Sequence, residues 1–437
     1  MAGLVALAAP APLAAQAIDP GPGHEQAALD APALDRAGHE GAALAVATAA
    51  PATLDPGDVP PPPHAAPAAA DPVIEEGGGG MSWALEQIGF RVAIFDQEGR
   101  GLQSQAADDP WERGSEEAFI FQPMLYFGLR QSETIDHQVT IPIDIVSAAS
   151  TDALDAVSRA SLLNEAGGVD ITTSIEDGED QTWQLRYGTH LEEPFWSGFL
   201  GGAYVRELAD DNATLRASLD VVFDTFDPID HNGIDLGFAH RLTTSANVGL
   251  SQLLSPTTVV YGSYGLTVQV GRLETTWNSV PRADGGRVQD RWPDRRIRHA
   301  LRGEIRQLIP ATRTVVAADY RLYLDSFDVM SHTAEAVVTQ HLGDLWIRGA
   351  YRFHTQSAPF FWTPRFDGNN RDPEFRTADS DLEALDAHQI RLSLRWFYDR
   401  QGALTAGSSY LQLGHTWYWR TNSLRLNMLS FDWGASF

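Results

Sequence analysis

The residues of this chain best suited to chemistry are charged side chains set at every second position of extended segments. In Leu345 to His354, Trp346, Arg348, Ala350, Arg352 and His354 share one face, and Leu345, Ile347, Gly349, Tyr351 and Phe353 the other. Successive strand side chains point to opposite sides, so this strand is apolar on one face and cationic on the other. The same alternation groups Arg302, Glu304 and Arg306, joins Asp319 to Arg321, and joins Arg216 to Asp220. Arg186, Arg391, Arg395 and Asp432 take the polar phase of their own segments. Two tasks suit guanidinium and carboxylate groups gathered on one concave wall. One is a water-filled passage with a cationic stripe for anions. The other is a ladder of paired charges that fills and stiffens the wall. Trp346 and Tyr323 share that face and would narrow a passage.

Other chemistry has weaker footing. Asp227, Asp230, Asn232 and Asp235 crowd one Gly-containing loop, where oxygen ligands would suit Ca²⁺. Their spacing is not that of an EF-hand, and a solvated turn is the plainer reading. Asp367, Asn369, Asn370 and Asp372 form a second such cluster. His231, His240, His299, His332, His354, His388 and His415 stand in no motif that gives a nucleophile, a base and an orienting group. There is no cysteine, which excludes disulfides, thiolate zinc sites and iron–sulfur clusters. No enzyme and no cofactor are expected. The net charge is −27 with no lysine, which argues against nucleic acid as a partner.

These side chains require long strands to hold them. After Met81 the chain reads as about sixteen alternating runs of about 10 to 15 residues, longer than ordinary globular strands. They start near Ile88, Glu117, His137, Gly168, Gln181, Pro194, Thr214, Gly237, Thr257, Arg296, Thr312, Asp328, Leu345, Ala384, Ala406 and Leu424. Connections after even-numbered runs are tight, as at Asp210-Asp211-Asn212, Ser255-Pro256 and Gly343-Asp344. Several after odd-numbered runs are long: Glu98 to Glu116, Val146 to Gly167, Leu273 to Asp294 and Gln356 to Leu382. Short turns at one rim and long loops at the other predict an all-β, antiparallel transmembrane β-barrel of the Gram-negative outer membrane. In the closing strand, Leu429, Phe431, Trp433, Ala435 and Phe437 would face lipid, and Ser430, Asp432, Gly434 and Ser436 the interior. Trp417, Tyr418 and Trp419, with Tyr410, are expected to form interfacial aromatic girdles.

The N-terminal fifth reads differently. Residues 1–17 resemble a signal peptide, with an apolar run and small residues at Ala15 and Ala17, although a basic n-region is missing. Residues 18–80 form an Ala-, Pro- and Gly-rich acidic linker that buries too little apolar surface to fold. The barrel is expected over 81–437.

Several spaced segments carry a family likeness. They are Leu250-Ser251-Gln252-Leu253-Leu254-Ser255-Pro256, Trp292-Pro293-Asp294-Arg295-Arg296, Tyr320 to Phe327 with His332-Thr333, and Tyr351 to Ala358. Together they resemble the domain-of-unknown-function 3570 family of outer-membrane barrels, over roughly Val139 to Phe437. The resemblance implies the barrel and supplies no catalytic residues. The acidic tail departs from it. The expected role is a pore or transport component. The alternative is a scaffold that anchors a periplasmic or surface protein through the tail or the long loops. Outer-membrane lipid is a partner in either case.

Overall fold

The computed structural model describes residues 83–99, 117–148, 164–178, 180–192, 195–228, 234–274, 279–282, 286–366, 373–399 and 407–437. The signal-like segment and the acidic linker lie outside them. The strands are β1 (Ala84–Glu98), β2 (Ala118–Ser132), β3 (Ile135–Ala148), β4 (Asn164–Glu176), β5 (Gln181–Glu192), β6 (Phe195–Leu208), β7 (Ala213–Phe226), β8 (Ala239–Ser255), β9 (Thr258–Gly271), β10 (Ser279–Pro281), β11 (Arg287–Gln289), β12 (Arg295–Ile309), β13 (Thr314–Asp325), β14 (Met330–Leu342), β15 (Leu345–Gln356), β16 (Leu385–Asp399), β17 (Ser409–Arg420) and β18 (Arg425–Ser436).

Sixteen of these strands close into one antiparallel barrel, each beside its sequence neighbours, with β9 next to β12. The seam pairs β1 with β18 from Gln87 opposite Ser436 to Glu98 opposite Arg425. Closure is the only way a sheet can cross hydrocarbon, because it leaves no strand edge with bare N–H and C=O groups. The strand count and the beginnings of β5 at Gln181 and β15 at Leu345 agree with the alternation in the sequence. The β10–β11 hairpin lies inside the long connection between β9 and β12, which the sequence presents as a loop. Its three-residue strands are too short to display a period.

The outer face is apolar. Leu219, Leu301, Leu394, Leu413 and Leu429 are all about half exposed or more, and all stand in outward phase. Trp417 and Trp419 also point outward, whereas Tyr418 and Tyr410 are buried inside. The two tryptophans therefore take the outward phase that a girdle requires, and the expectation fails for the two tyrosines. Strand alternation is the reason: odd positions of β17 face out and even positions face in. Tyr410 instead meets the Tyr126 hydroxyl at 2.9 Å across the interior.

Tight turns gather at one rim. Between β6 and β7, Ala209, Asp210 and Asp211 all take left-handed backbone, held by the Asn212 side-chain amide donating to the carbonyls of Ala209 and Asp210. Gly343 has φ of 65° in the two-residue turn between β14 and β15, a conformation that favours glycine. At the opposite rim the long connections fold together. Leu273 and Trp292 from the β9–β12 connection pack with Phe361 and Leu382 from the β15–β16 connection, and with Phe327, Val329 and the inward Tyr323. Backbone bridges join Arg282 to Phe366 and Arg291 to Arg376. This apolar core covers part of the barrel mouth over β12 to β16.

Leu429→Arg puts a charge on the lipid face near the middle of β18. It is expected to lower folding stability in phospholipid vesicles by about 2–4 kcal/mol. Urea titration of vesicle-folded protein measures this, and an unchanged midpoint would contradict the outward placement.

Candidate functional site

The inner wall is a network of arginines and carboxylates. On β12, Glu304 is gripped from both sides: Arg302 donates to one carboxylate oxygen at 2.8 Å, and Arg306 pairs with the other. Arg302 also donates to Asp319 at 2.5 Å, and Asp319 stands opposite Glu304 in the β12–β13 register. Two strands further round, Glu335 bridges Arg352, its direct cross-strand partner, and Arg391 from β16. Arg186 forks Asp170, with Nε 2.9 Å and 3.1 Å from the two carboxylate oxygens. Arg91 and Asp432 pair across the β1–β18 seam, and Arg395 donates to Gln412 at 2.8 Å while lying over the Tyr410 ring.

All thirteen arginines and acids that the alternation puts on the polar phase have that phase on the inner wall here. They are Arg186, Arg216, Asp220, Arg302, Glu304, Arg306, Asp319, Arg321, Arg348, Arg352, Arg391, Arg395 and Asp432. Most are deeply buried: Asp432 is 1% exposed and Arg395 3%. Charges so far from water persist only when paired and hydrogen-bonded. The partners supply this, and several were not singled out from the sequence: Arg91, Asp170, Asp224, Arg241, Arg296 and Glu335. Parity alone marks them, since Glu335 alternates with Ala334 and Ala336 on β14, and Arg296 continues the phase of Arg302 on β12. What parity does not give is which acid meets which arginine, because that depends on register between strands.

The histidines divide. His240, His299, His332, His388 and His415 are on the outer face. His299, His332 and His388 each bond a tyrosine hydroxyl there, from Tyr264, Tyr320 and Tyr351. His354 faces inward and contacts the Thr333 hydroxyl at 2.9 Å. His231 lies outside the described residues.

Of the acidic loop, Asp227 and Asp235 are described and Asp230 and Asn232 are not. Asp235 accepts a hydrogen bond from the Gly237 amide at 2.7 Å, closing an Asx-type turn. Asp367, Asn369, Asn370 and Asp372 also lie outside the described residues. Among the described residues no group of three or more His or acidic side chains converges on a metal position.

Asp290 holds the mouth core together. It is 2% exposed and takes hydrogen bonds from the Thr377 hydroxyl at 2.8 Å and the Trp292 indole N–H at 3.2 Å, so it links the two long connections. Burial pushes its carboxyl up to about 7, helped by Glu274 and opposed by the Thr377 and Trp292 hydrogen bonds and by Arg376. The core therefore favours the neutral acid.

These features define an outer-membrane β-barrel with a charged interior and a partly covered mouth. The chain belongs to the family described as "Protein of unknown function (DUF3570)", whose model matches residues 164–415. The match runs from the start of β4 into β17, a narrower span than the Val139 to Phe437 of the sequence resemblance. Among curated proteins nothing matches the chain. It is similar to a solved bacterial polysaccharide outer membrane secretin, at 9% identity and a TM-score of 0.44, covering 80% of this chain and 98% of that one. It is similar to the outer membrane protein OprD from Pseudomonas aeruginosa, at 12% identity and a TM-score of 0.37, covering 81% and 93%. It is also similar to the siderophore receptor PirA from Acinetobacter baumannii, at 11% identity and a TM-score of 0.41, covering 77% and 53%.

Two outcomes follow from the wall and the mouth. Glu335→Gln leaves Arg352 and Arg391 facing a neutral amide. It is expected to cost about 3–5 kcal/mol of folding stability in a urea titration. A loss below 1 kcal/mol would show that water already screens the site. For Asp290, a folded value above the ordinary one means that its contribution is fully present below the unfolded Asp value and is lost as pH rises through about 7. Protease cleavage of the 273–294 connection should thus accelerate as pH rises from about 4 to about 7 and level off above that, and Asp290→Asn should abolish the rise.

Proposed function

We propose that the protein is a pore or transport component of the outer membrane, passing small solutes with a preference for anions. One observation carries the reading: the inner wall is polar and arginine-rich along the strands, from Arg91 and Asp432 at the seam to Glu304 and Glu335 on the far side. A barrel of sixteen strands has room for an aqueous channel beyond its own side chains. The ladder supports selectivity in a simple way. Glu304 and Glu335 are each held by two arginines, which leaves guanidinium edges to face a passing solute. The mouth core built on Tyr323, Trp292 and Phe361 narrows the entrance and favours small solutes over polymers.

A second reading has its own support. Ile234, Leu236, Phe238 and Phe360 sit in connections at the long-loop rim, and Phe238 is 80% exposed. Apolar groups in that position suit capture of a surface protein. On that reading the barrel anchors a partner, and transport is absent.

Planar-bilayer recording separates the two. Purified, folded protein should give discrete conductance steps, and a salt gradient should give a reversal potential of the sign for anions. A folded barrel that never conducts, at any pH between 5 and 9 (about two units either side of the Asp290 value), would remove the pore reading. Phe238→Ser should leave conductance unchanged.

A further inference from the structure

We infer that the outer face of β9 and β12, below the long-loop rim, binds one phosphorylated, ester-linked lipid of the surrounding outer leaflet. The inference concerns the opposite side of the wall from the pore reading and does not rest on it.

The top of the site is Arg295, the first residue of β12. It is exposed and shares the outward phase of His299 and Leu301. Among the described residues no carboxylate pairs with it, whereas the adjacent Arg296 turns inward to Asp325. A bare guanidinium at the level of lipid headgroups suits a phosphate, whose oxygens match its fork of donors.

Four residues further down β12, about 13 Å along the strand, His299 meets Tyr264 of β9. The Tyr264 hydroxyl and His299 Nδ1 lie 2.8 Å apart on the exposed surface. If the hydroxyl donates, Nδ1 accepts and Nε2 carries the ring proton. If Nδ1 donates, the hydroxyl proton is left over. Either way the pair keeps one donor to offer outward. Hydrocarbon supplies no acceptor for it, and a lipid ester carbonyl does.

Tyr320 with His332 and Tyr351 with His388 repeat the arrangement, each tyrosine facing the residue two positions after its histidine. Met330 stands above the first of these pairs and Asp386 above the second, so of the three only the β9–β12 pair lies beneath an arginine. At the tight-turn rim His137 is different, because both its ring nitrogens meet protein partners, Thr173 and Gln131.

Below the Tyr264–His299 pair the wall has a dent. Gly262 and Gly303 face each other across β9 and β12, both outward and exposed. A Cβ on Gly303 would meet nothing within 4 Å, so the space over it is open. Leu250 of β8 and Tyr320 of β13 continue the same rung and stand as walls on either side. They are three strand spacings apart, roughly 14 Å, which leaves room for an acyl chain between them. The Tyr320 hydroxyl is tied to His332, on the side away from the dent. Leu301 and Ile305 bound the dent above and below, and Gly303 lies near the middle of β12. The order from rim to midplane is guanidinium, polar pair, apolar dent. In a membrane lipid the order is phosphate, ester linkage, acyl chain.

The test is retention of a single lipid. Detergent-solubilised full-length protein, shown to be folded by heat-modifiable gel migration, is titrated with dioleoyl phosphatidylglycerol and read by native mass spectrometry. The wild type should retain one lipid. Dioleoylglycerol, which lacks the phosphate, and glycerol phosphate, which lacks the chains, should each bind about tenfold more weakly or worse. Arg295→Gln should weaken retention about tenfold, and Tyr264→Phe about threefold. Gly303→Leu fills the dent without touching a donor and should weaken retention as much as Arg295→Gln. Arg425→Gln, at the exposed outward start of β18, should leave it unchanged. Equal retention by wild type and Arg295→Gln would overturn the proposal, as would equal retention by wild type and Gly303→Leu. Equal binding of dioleoylglycerol and phosphatidylglycerol would also overturn it, since the wall would then offer apolar contact only.

Discussion

The barrel depends on one requirement: no backbone N–H or C=O of a strand can be left bare in hydrocarbon. Pairing β1 with β18 meets it, and each choice of side chain then follows from which side of the closed wall a residue faces. Outward positions must be apolar, so leucine, valine and aromatic rings fill them. Inward positions are free to be polar, and they hold the charges that make the chain chemically interesting. The seam shows both halves of the rule together. Phe90 stands opposite Trp433 on the outside, and Arg91 opposite Asp432 on the inside, in adjacent rungs of one ladder.

Closure creates a second constraint. Side chains packed against the inner wall lose contact with water, which penalises each charge buried there, and the chain responds by interlacing arginines and carboxylates across neighbouring strands. Glu304 and Glu335 each satisfy two arginines.

The mouth is governed by different physics. There the long connections leave the membrane and fold as a small soluble core would, on Trp292, Phe327, Phe361 and Leu382, with Asp290 buried among them. A carboxyl whose titration is shifted upward by burial couples this core to pH.

Much of this was legible in the sequence, because period-2 alternation is a local property. It marked the strands, their number, the rim with tight turns, and which charged residues share a face. It also decides Tyr410 and Tyr418, whose clustering with Trp417 and Trp419 suggests a girdle while their phase puts them inside. Sequence alone did not determine who pairs with whom. Glu335 meets Arg391 from two strands away, and the Tyr261 ring leans over Gly249 on the neighbouring strand. Register, tilt and closure set those meetings, and they are fixed only when all sixteen strands are in place. The loop core was invisible for a related reason: its apolar residues have no period and come from connections far apart in the chain. The closing strand needed only its own alternation to be recognised, but it took the whole barrel to bring Asp432 to Arg91.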